Sequence, residues 1–327
     1  MFRLYDYPII KVYNGYGNHE KFFVIGHVLK ISPMPRKTYR KNWITNLFSI
    51  VRLFMVVPIS NTKVFLKWES EVFETKTEFD GFFRFEVFPD KAPKAGWQSI
   101  SVHIESNDNL QNDITGHGSI FIPSESQHAF ISDIDDTFLI SHSSKMRRRL
   151  YVLFTKNGRT RRAFEGVIHH YNQLACFGRE GNNSNPFFYV SSSEWNLYNF
   201  VVEFARFNKL PKGIFLLGQM KRLKDFWRSG QNNHSTKLTR IVRVIESYSN
   251  LKFVLMGDDS QQDPEIYLSV VTHFPEKIIA VYIRKIHEPN FNKVRLIIDE
   301  MEKSGVDCCY FEHSSEAIIH SKTIGLI

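Results

Sequence analysis

From Ala129 onward, short apolar runs alternate with stretches of helical spacing, and that alternation admits little besides a mainly parallel α/β sheet. Ala129-Phe130-Ile131-Ser132 opens the series, and Phe187-Phe188-Tyr189-Val190 follows. A helix comes next, with Trp195, Tyr198, Val202 and Ala205 close to one face. Ile214 to Leu217 reads as a third strand, and Leu238, Ile241, Val242, Ile245 and Tyr248 mark a second helix. Phe253-Val254-Leu255-Met256 makes a fourth strand that stops at Gly257-Asp258-Asp259. Asp263-Pro264 then sets a cap residue ahead of a proline at the first helical position. Ile278 to Ile283 forms a fifth strand, Val294 to Lys303 a helix ended by Gly305, and Asp307 to Phe311 a last strand. Residues 123–327 are therefore expected to form a doubly wound α/β domain.

Residues 1–122 follow a different period. Phe22 to Leu29, Val64 to Trp68 and the alternating Ser99 to Glu105 read as strands. Asp80-Gly81, between Thr75–Phe79 and Phe82–Phe88, is a strong hairpin signal because Asp-Gly supplies the positive φ angles of a tight turn. An antiparallel β-sandwich is the expected architecture. It is interrupted near 41–55, where Ile44, Leu47, Phe48, Val51 and Phe54 recur at helical spacing. The apolar face of that amphipathic helix packs on the sandwich or docks on a membrane, with packing favoured.

The 327 residues suffice for two cores. The three cysteines, Cys176, Cys308 and Cys309, fit neither a disulfide framework nor a metal-ligand spacing, which points to a reducing, cytoplasmic setting. The first residues lack the apolar core of a signal peptide, and the apolar stretch from Ile44 to Ile59 is too short and too interrupted to span a bilayer. A net charge of +8 favours anionic partners, either nucleic acid or an acidic membrane surface. The excess gathers at Arg36, Lys37, Arg40 and Lys41, and again between Lys145 and Arg162. No recognition motif accompanies it, so nucleic acid is an unlikely partner.

The chemistry concentrates at strand ends. Asp133-Ile134-Asp135-Asp136-Thr137 sets two carboxylates two residues apart just beyond the first strand of the α/β half. One of them could attack an electrophile while the other moves protons or helps hold a divalent cation. An Asp-rich turn before a helix is the plainer alternative. Ser191, at the second strand's end, could bind phosphoryl oxygens, and Asp258 ends the fourth strand. In a parallel sheet these ends share one edge, and Lys237 near the start of its helix can add positive charge there. Asp136 reads as a turn residue and Asp263 as a helix cap, with a water-mediated role near a metal as the alternative for Asp263.

Four segments, FISDIDDTFL, FFYVSSSEWNLY, the lysine of STKLTRI, and FVLMGDDSQQDPEIY, resemble the haloacid dehalogenase superfamily of phosphohydrolases. Within it the chain is similar to the actin-patch-type phosphatidate phosphatases and their bacterial relatives, and NGYGN and TEFDGFFRF look like that family's leading domain. The resemblance implies a Rossmann-like sheet with a small cap inserted between Thr137 and Ser191. It also implies a Mg²⁺-dependent phosphomonoester hydrolase. Asp133 would be the nucleophile that becomes an aspartyl-phosphate, Asp135 the general acid and then base, and Thr137 the residue that positions Asp135. Ser191, with Ser192, would hold the phosphoryl group, and Lys237 would neutralise the nucleophile. Asp133, Asp135 through its main-chain carbonyl, and Asp258 would hold Mg²⁺. Asp259 and Asp263 are the nearby carboxylates that could act behind those ligands.

Three segments depart from the family pattern, among them the lysine segment, where Ser235-Thr236 separates His234 from Lys237. Ser191-Ser192-Ser193-Glu194 stands where Ser-Asn-Ser-Pro is usual, and Asp259 adds a carboxylate that either tightens the metal or is merely solvated. Phosphatidate, converted to diacylglycerol at the inner membrane surface, is the substrate the resemblance suggests. A soluble phosphorylated metabolite remains the alternative, and an inactive module that binds acidic membranes is a third reading.

Overall fold

The computed structural model describes residues 8–31, 56–104, 114–124, 128–134, 166–178, 184–218 and 233–327, which fall into two compact units, before and after 125. The first holds nine strands: Ile9–Val12 (β1), Gly15–Gly17 (β2), Phe22–Ile31 (β3), Val57–Pro58 (β4), Lys63–Trp68 (β5), Glu71–Lys76 (β6), Phe82–Val87 (β7), Gly96–Ile104 (β8) and Ile114–Ile122 (β9). They form one hydrogen-bonded sheet in the order β1-β3-β2-β9-β8-β5-β6, with β4 and β7 also on β3. Every pair is antiparallel except β2 with β9. The expected sandwich is therefore a single sheet around one core. Side chains alternate across the pleat, so Val64, Leu66 and Trp68 join Phe83, Phe85, Val87, Ile100, Val102 and Ile104 in one buried cluster. Fully burying each such side chain is worth about 1.5–3 kcal/mol.

The Asp80-Gly81 turn forms, with Gly81 at φ +78°, Gly81 N donating to Glu78 O at 3.0 Å and Phe82 N to Asp80 Oδ1 at 3.1 Å. It does not close the expected hairpin. β6 pairs with β5 around Glu69-Ser70, where Glu69 adopts φ +50°, and β7 pairs with β3. Burial explains the split. β6 has no buried residue and lies at the sheet edge, whereas β7 sends Phe83, Phe85 and Val87 into the core. A non-glycine left-handed residue is also a turn that composition rules pass over.

The second unit contains six strands: His128–Asp133 (β10), Phe187–Glu194 (β11), Gly213–Gly218 (β12), Lys252–Asp258 (β13), Ile278–Arg284 (β14) and Asp307–Phe311 (β15). Its helices are Val167–Cys176 (α1), Tyr198–Phe207 (α2), Asn233–Glu246 (α3), Asp263–His273 (α4), Phe291–Lys303 (α5) and Ser314–Thr323 (α6). All strand pairs are parallel, in the order β12-β11-β10-β13-β14-β15. Phe130, Phe187, Tyr189, Phe215, Val254, Met256 and Tyr282 form one buried cluster with Tyr171 of α1, Phe204 of α2 and Ala317 of α6. The chain winds outward in opposite directions from the β10/β13 boundary. In such sheets the crevice beyond the strand C-termini at that boundary is where ligands bind.

The segment expected to be a cap is partly something else. From Val167, α1 contributes Val167, Tyr171 and Leu174 to the core of the sheet, so that stretch is a layer helix. Residues 135–165, with the whole second basic cluster, the first basic cluster at Arg36, Lys37, Arg40 and Lys41, and the helix expected near 41–55 lie outside the described residues.

Candidate active site

β10 ends on Asp133 in the middle of the sheet, with Val190 of β11 opposite it in register. On the other side Ser132 faces Met256 of β13, so one further step of that register sets Gly257 beside Asp133. Ser191 and Asp258 each lie one residue beyond these neighbours. Parallel pairing thus brings together positions 133, 191 and 258, far apart in the sequence. All three are buried. Asp135 and Thr137 lie outside the described residues.

The centre of the site is an ion cluster. Lys237, on the N-terminal part of α3, donates to Asp133 Oδ1 at 2.6 Å and to Asp263 Oδ1. Lys237 is 2% exposed, and Asp133 and Asp263 are each 1% exposed. Burial alone would lower the lysine's pKa, but the two carboxylates and their hydrogen bonds outweigh it, and the net shift is upward. The ammonium is therefore permanently charged at neutral pH. Asp263 Oδ2 also accepts from Asp258 N at 3.4 Å. Asp258 Oδ1 accepts from Ser260 N at 2.7 Å and from Ser260 Oγ at 2.6 Å, which fixes that carboxylate's plane.

Asp263 does not cap α4. It is the first residue of the helix, Gln262 holds the cap position, and no side-chain cap bond is made. Its carboxylate is drawn into the cluster because Gly257 leaves room. A Cβ at Gly257 would lie 2.5 Å from Asp263 Oδ2 and 2.8 Å from Tyr267 Cε2. Tyr267 in turn donates to Met256 O at 2.8 Å and ties α4 to β13.

One oxygen each from Asp133, Asp258 and Asp263 lies within 4.8 Å of the other two. Among the described residues one ammonium is hydrogen-bonded within this set of three buried carboxylates, and a divalent cation would offset negative charge there. An all-oxygen donor set suits a hard cation such as Mg²⁺. The residues present therefore fit a metal, with Asp263 as a third carboxylate beside Asp133 and Asp258.

Asp259 is neither solvated nor turned toward this cluster. It is fully buried, with Oδ1 accepting from Ile286 N at 2.7 Å and His287 N at 2.8 Å, and Oδ2 from the Tyr310 hydroxyl at 2.8 Å. It ties the end of β13 to the turn after β14. Ser191 Oγ accepts from Ser193 N at 2.9 Å, within the irregular stretch of β11 between Val190 and Glu194, and Ser192 is half-buried. Two cations near the site were not legible as such. Arg240, one turn beyond Lys237, donates to Ser191 O at 3.1 Å and Leu217 O at 3.3 Å. Arg284 stands opposite Asp258 in the β13/β14 register and is held by Glu312 O and Ser314 Oγ. The i, i+3 spacing of Lys237 and Arg240 was the available signal for the first.

Residues 128–285 match the family model described as the catalytic domain of phosphatidate phosphatase APP1. Phosphatidate phosphatase APP1 of Saccharomyces cerevisiae is 27% identical over 154 residues, which cover 47% of this chain and 25% of that protein. An uncharacterised protein of Schizosaccharomyces pombe is 23% identical over 218 residues, covering 65% of this chain and 34% of its own length. The chain thus spans between a quarter and a third of these relatives. Among solved structures, a carbohydrate acetylesterase from Xanthomonas citri covers 98% of this chain and 74% of its own at 6% identity and a TM-score of 0.36, too low to carry an argument. The matched segment contains Asp133, Ser191, Lys237, Asp258 and Asp263, so the part of the chain that builds the carboxylate–lysine cluster is similar to an APP1-type catalytic domain.

Proposed function

We propose that the protein is a Mg²⁺-dependent phosphomonoester hydrolase of the haloacid dehalogenase type, acting through an aspartyl-phosphate, with phosphatidate as the family-suggested substrate. The observation that carries this reading is the buried cluster of Asp133, Asp258, Asp263 and Lys237 at the point where the strand order turns. The similarity to the APP1 catalytic domain supports a phosphatase.

In this scheme Asp133 attacks phosphorus, and the bond from phosphorus to the ester oxygen breaks. Asp135 gives its proton to the leaving alkoxide and then takes one from the water that cleaves the acyl phosphate, which regenerates Asp133. Lys237, 2.6 Å from Asp133 Oδ1, orients the carboxylate for attack and offsets negative charge as the phosphoryl group arrives. Ser191 and Ser192, on the irregular end of β11 that Arg240 braces, bind the non-bridging phosphoryl oxygens, and Thr137 positions Asp135. Asp133, Asp258 and Asp263 would hold Mg²⁺, whose charge supplies electrophilic stabilisation of the phosphoryl oxygens.

A cytoplasmic protein in peripheral contact with an anionic membrane accords with the net charge of +8 and with three free cysteines. Among the described residues no helix is long and apolar enough to cross a membrane.

The test is hydrolysis of phosphatidate in mixed micelles and of soluble phosphate esters, with Mg²⁺ and with chelator, by wild type and Asp133→Asn. The wild type should release phosphate only with Mg²⁺, and the variant should be silent. Retained Mg²⁺-dependent activity in Asp133→Asn would exclude the aspartyl-phosphate route.

A further inference from the structure

Strand β11 loses its register with β12 just where it reaches the site. Val190 stands opposite Leu216, and a regular strand would then set Ser192 opposite Gly218, but Glu194 takes that place. β11 therefore carries two extra residues across this stretch, and bulges of this kind re-aim the groups beside an active site. One side chain spans the break. Arg240 Nη2 donates to Ser191 O at 3.1 Å and Nη1 to Leu217 O at 3.3 Å, so a single guanidinium fork holds both strands. A Cβ at Gly218 would lie 3.3 Å from Ser192 O and 3.4 Å from Ser193 O, so those carbonyls also lie against β12.

In a trans peptide the C=O and the following N–H point in opposite directions. Fixing Ser191 O against Arg240 therefore turns the Ser192 N–H away from β12 and toward β10, because β11 runs between those two strands. Val190 faces Asp133 in register, so this N–H lies two residues past the partner of Asp133, where β10 has ended. The neighbouring Ser193 N–H is taken by Ser191 Oγ.

Arg240 also brings a charge that two carbonyls do not require. Burial first, and then Arg243, push its pKa down to about 10, and its Nε is buried without a hydrogen-bond partner. Among the described residues no carboxylate pairs with it. A cation held this way favours an anion nearby, and an arriving phosphoryl group is one.

We propose that Arg240 is a positioning residue for phosphoryl transfer, whose grip on Ser191 O aims the Ser192 N–H at the phosphoryl group over Asp133. The proposal rests on the phosphatase reading and adds to it the side chain that shapes the phosphoryl site from beneath.

The experiment follows the Ser192 amide by NMR as inorganic phosphate is added with Mg²⁺, and phosphate release in parallel. In wild type the Ser192 amide proton should move downfield. In Arg240→Ala that movement should be lost and kcat/KM should fall about a hundredfold, most of it in kcat, as for removal of one oxyanion donor. Because Arg240 is only half-buried, added guanidinium ion should re-enter its place and restore both the shift and about tenfold or more of the rate. Thermal melts check folding, and Arg240→Gln replaces the alanine variant if that one does not fold. The exposed Arg243→Ala should keep the wild-type rate. A Ser192 amide that phosphate does not move in wild type overturns the proposal. So does a folded Arg240 variant within about threefold of wild type. A loss that follows the fall in Tm and that guanidinium does not restore marks a brace with no part in transfer, and also overturns it. If no ester is turned over in an Asp133-dependent way, the phosphatase reading fails separately. The phosphate titration then decides alone: a Ser192 shift that the folded variant abolishes supports the positioning role, and one that it keeps overturns it.

Discussion

Replacing Lys237 by methionine tests the electrostatics of the cluster, because the side chain keeps most of its length and loses its charge together with the two hydrogen bonds it donates. In the wild type the ammonium is bonded to Asp133 and Asp263, and the three carboxylates approach within 4.8 Å. Two unit negative charges at that separation repel by about 3.5 kcal/mol at an effective dielectric of about 20. The variant can escape the repulsion by binding a proton. For an ordinary carboxyl of pKa about 3.9 that costs about 4 kcal/mol at pH of about 7, but only about 1.5 kcal/mol at pH of about 5. Proton uptake and repulsion are thus comparable at neutral pH, and proton uptake wins in acid.

The expected result is a loss of about 3–4 kcal/mol in the metal-free protein near pH 7, shrinking to about 1–2 kcal/mol near pH 5. The sign follows from proton counting. The folded variant binds a proton that the unfolded chain does not, so lowering the pH favours its folded state relative to wild type. Urea titrations in chelator at both pH values give the two differences, and hydrogen exchange of β10 and β13 peptides confirms that the loss lies in this sheet. Added Mg²⁺ should restore part of the stability at neutral pH. A loss below about 1 kcal/mol, or one that is the same at both pH values, would refute the view of Lys237 as the charge that holds three buried carboxylates together.

Gly257→Ala places a methyl group 2.5 Å from Asp263 Oδ2, so it should cost about 2–3 kcal/mol and most of the phosphatase activity, read by urea titration and phosphate release. Asp259→Ala leaves two backbone N–H groups and the Tyr310 hydroxyl without their acceptor and should cost about 3 kcal/mol by thermal or urea melts. Its divalent-cation affinity by calorimetry should stay within about threefold of wild type, and a loss of tenfold or more would put Asp259 behind the metal ligands instead. His170, bonded to Ser321 at 2.7 Å, has its pKa lowered from 6.5 to about 4 by burial first and then by Arg284, His169 and His320. The unfolded chain therefore protonates first, and this histidine's contribution is full above pH 6.5 and is lost as pH falls toward about 4, a total of about 3 kcal/mol. His170→Gln should flatten the acid limb of the stability curve between those values, and an unchanged limb would place the acid sensitivity elsewhere.

The α/β half was legible because each of its elements carries a local signal that agrees with its neighbours. Ile131, Val190, Leu255 and Ile283 sit in runs too apolar for anything but a buried parallel strand, and each run ends in polar residues at the same edge. The strand register then does the rest, since Asp133, Ser191 and Asp258 meet without any information beyond strand order. The first half misled where a local signal was weaker than burial. Asp80-Gly81 does turn the chain, but three core side chains on β7 decide its partner. Helices α1 and α6 were missed as well, α1 because the stretch between Thr137 and Ser191 was read as a single insertion.

Asp263 shows the limit of sequence reasoning at the site itself. Asp-Pro at a helix start is a capping signal, and capping needs only neighbouring backbone. Whether the carboxylate instead turns inward depends on two distant facts, a glycine six residues earlier that clears a space and a lysine from another helix that fills it with charge. A cap bond is worth about 1 kcal/mol, while a bond to a buried ammonium is stronger and leaving that ammonium half-paired costs several. The pull of the ammonium wins. The same Asp-Pro with a bulky residue at 257, or with a neutral one at 237, would be expected to cap. The assignment of Asp263 to the metal cluster therefore stands or falls with Gly257 and Lys237 together. A double-mutant cycle between Lys237→Met and Asp263→Asn should show strong coupling, about 2–3 kcal/mol, where independent cap and lysine roles would give values near zero.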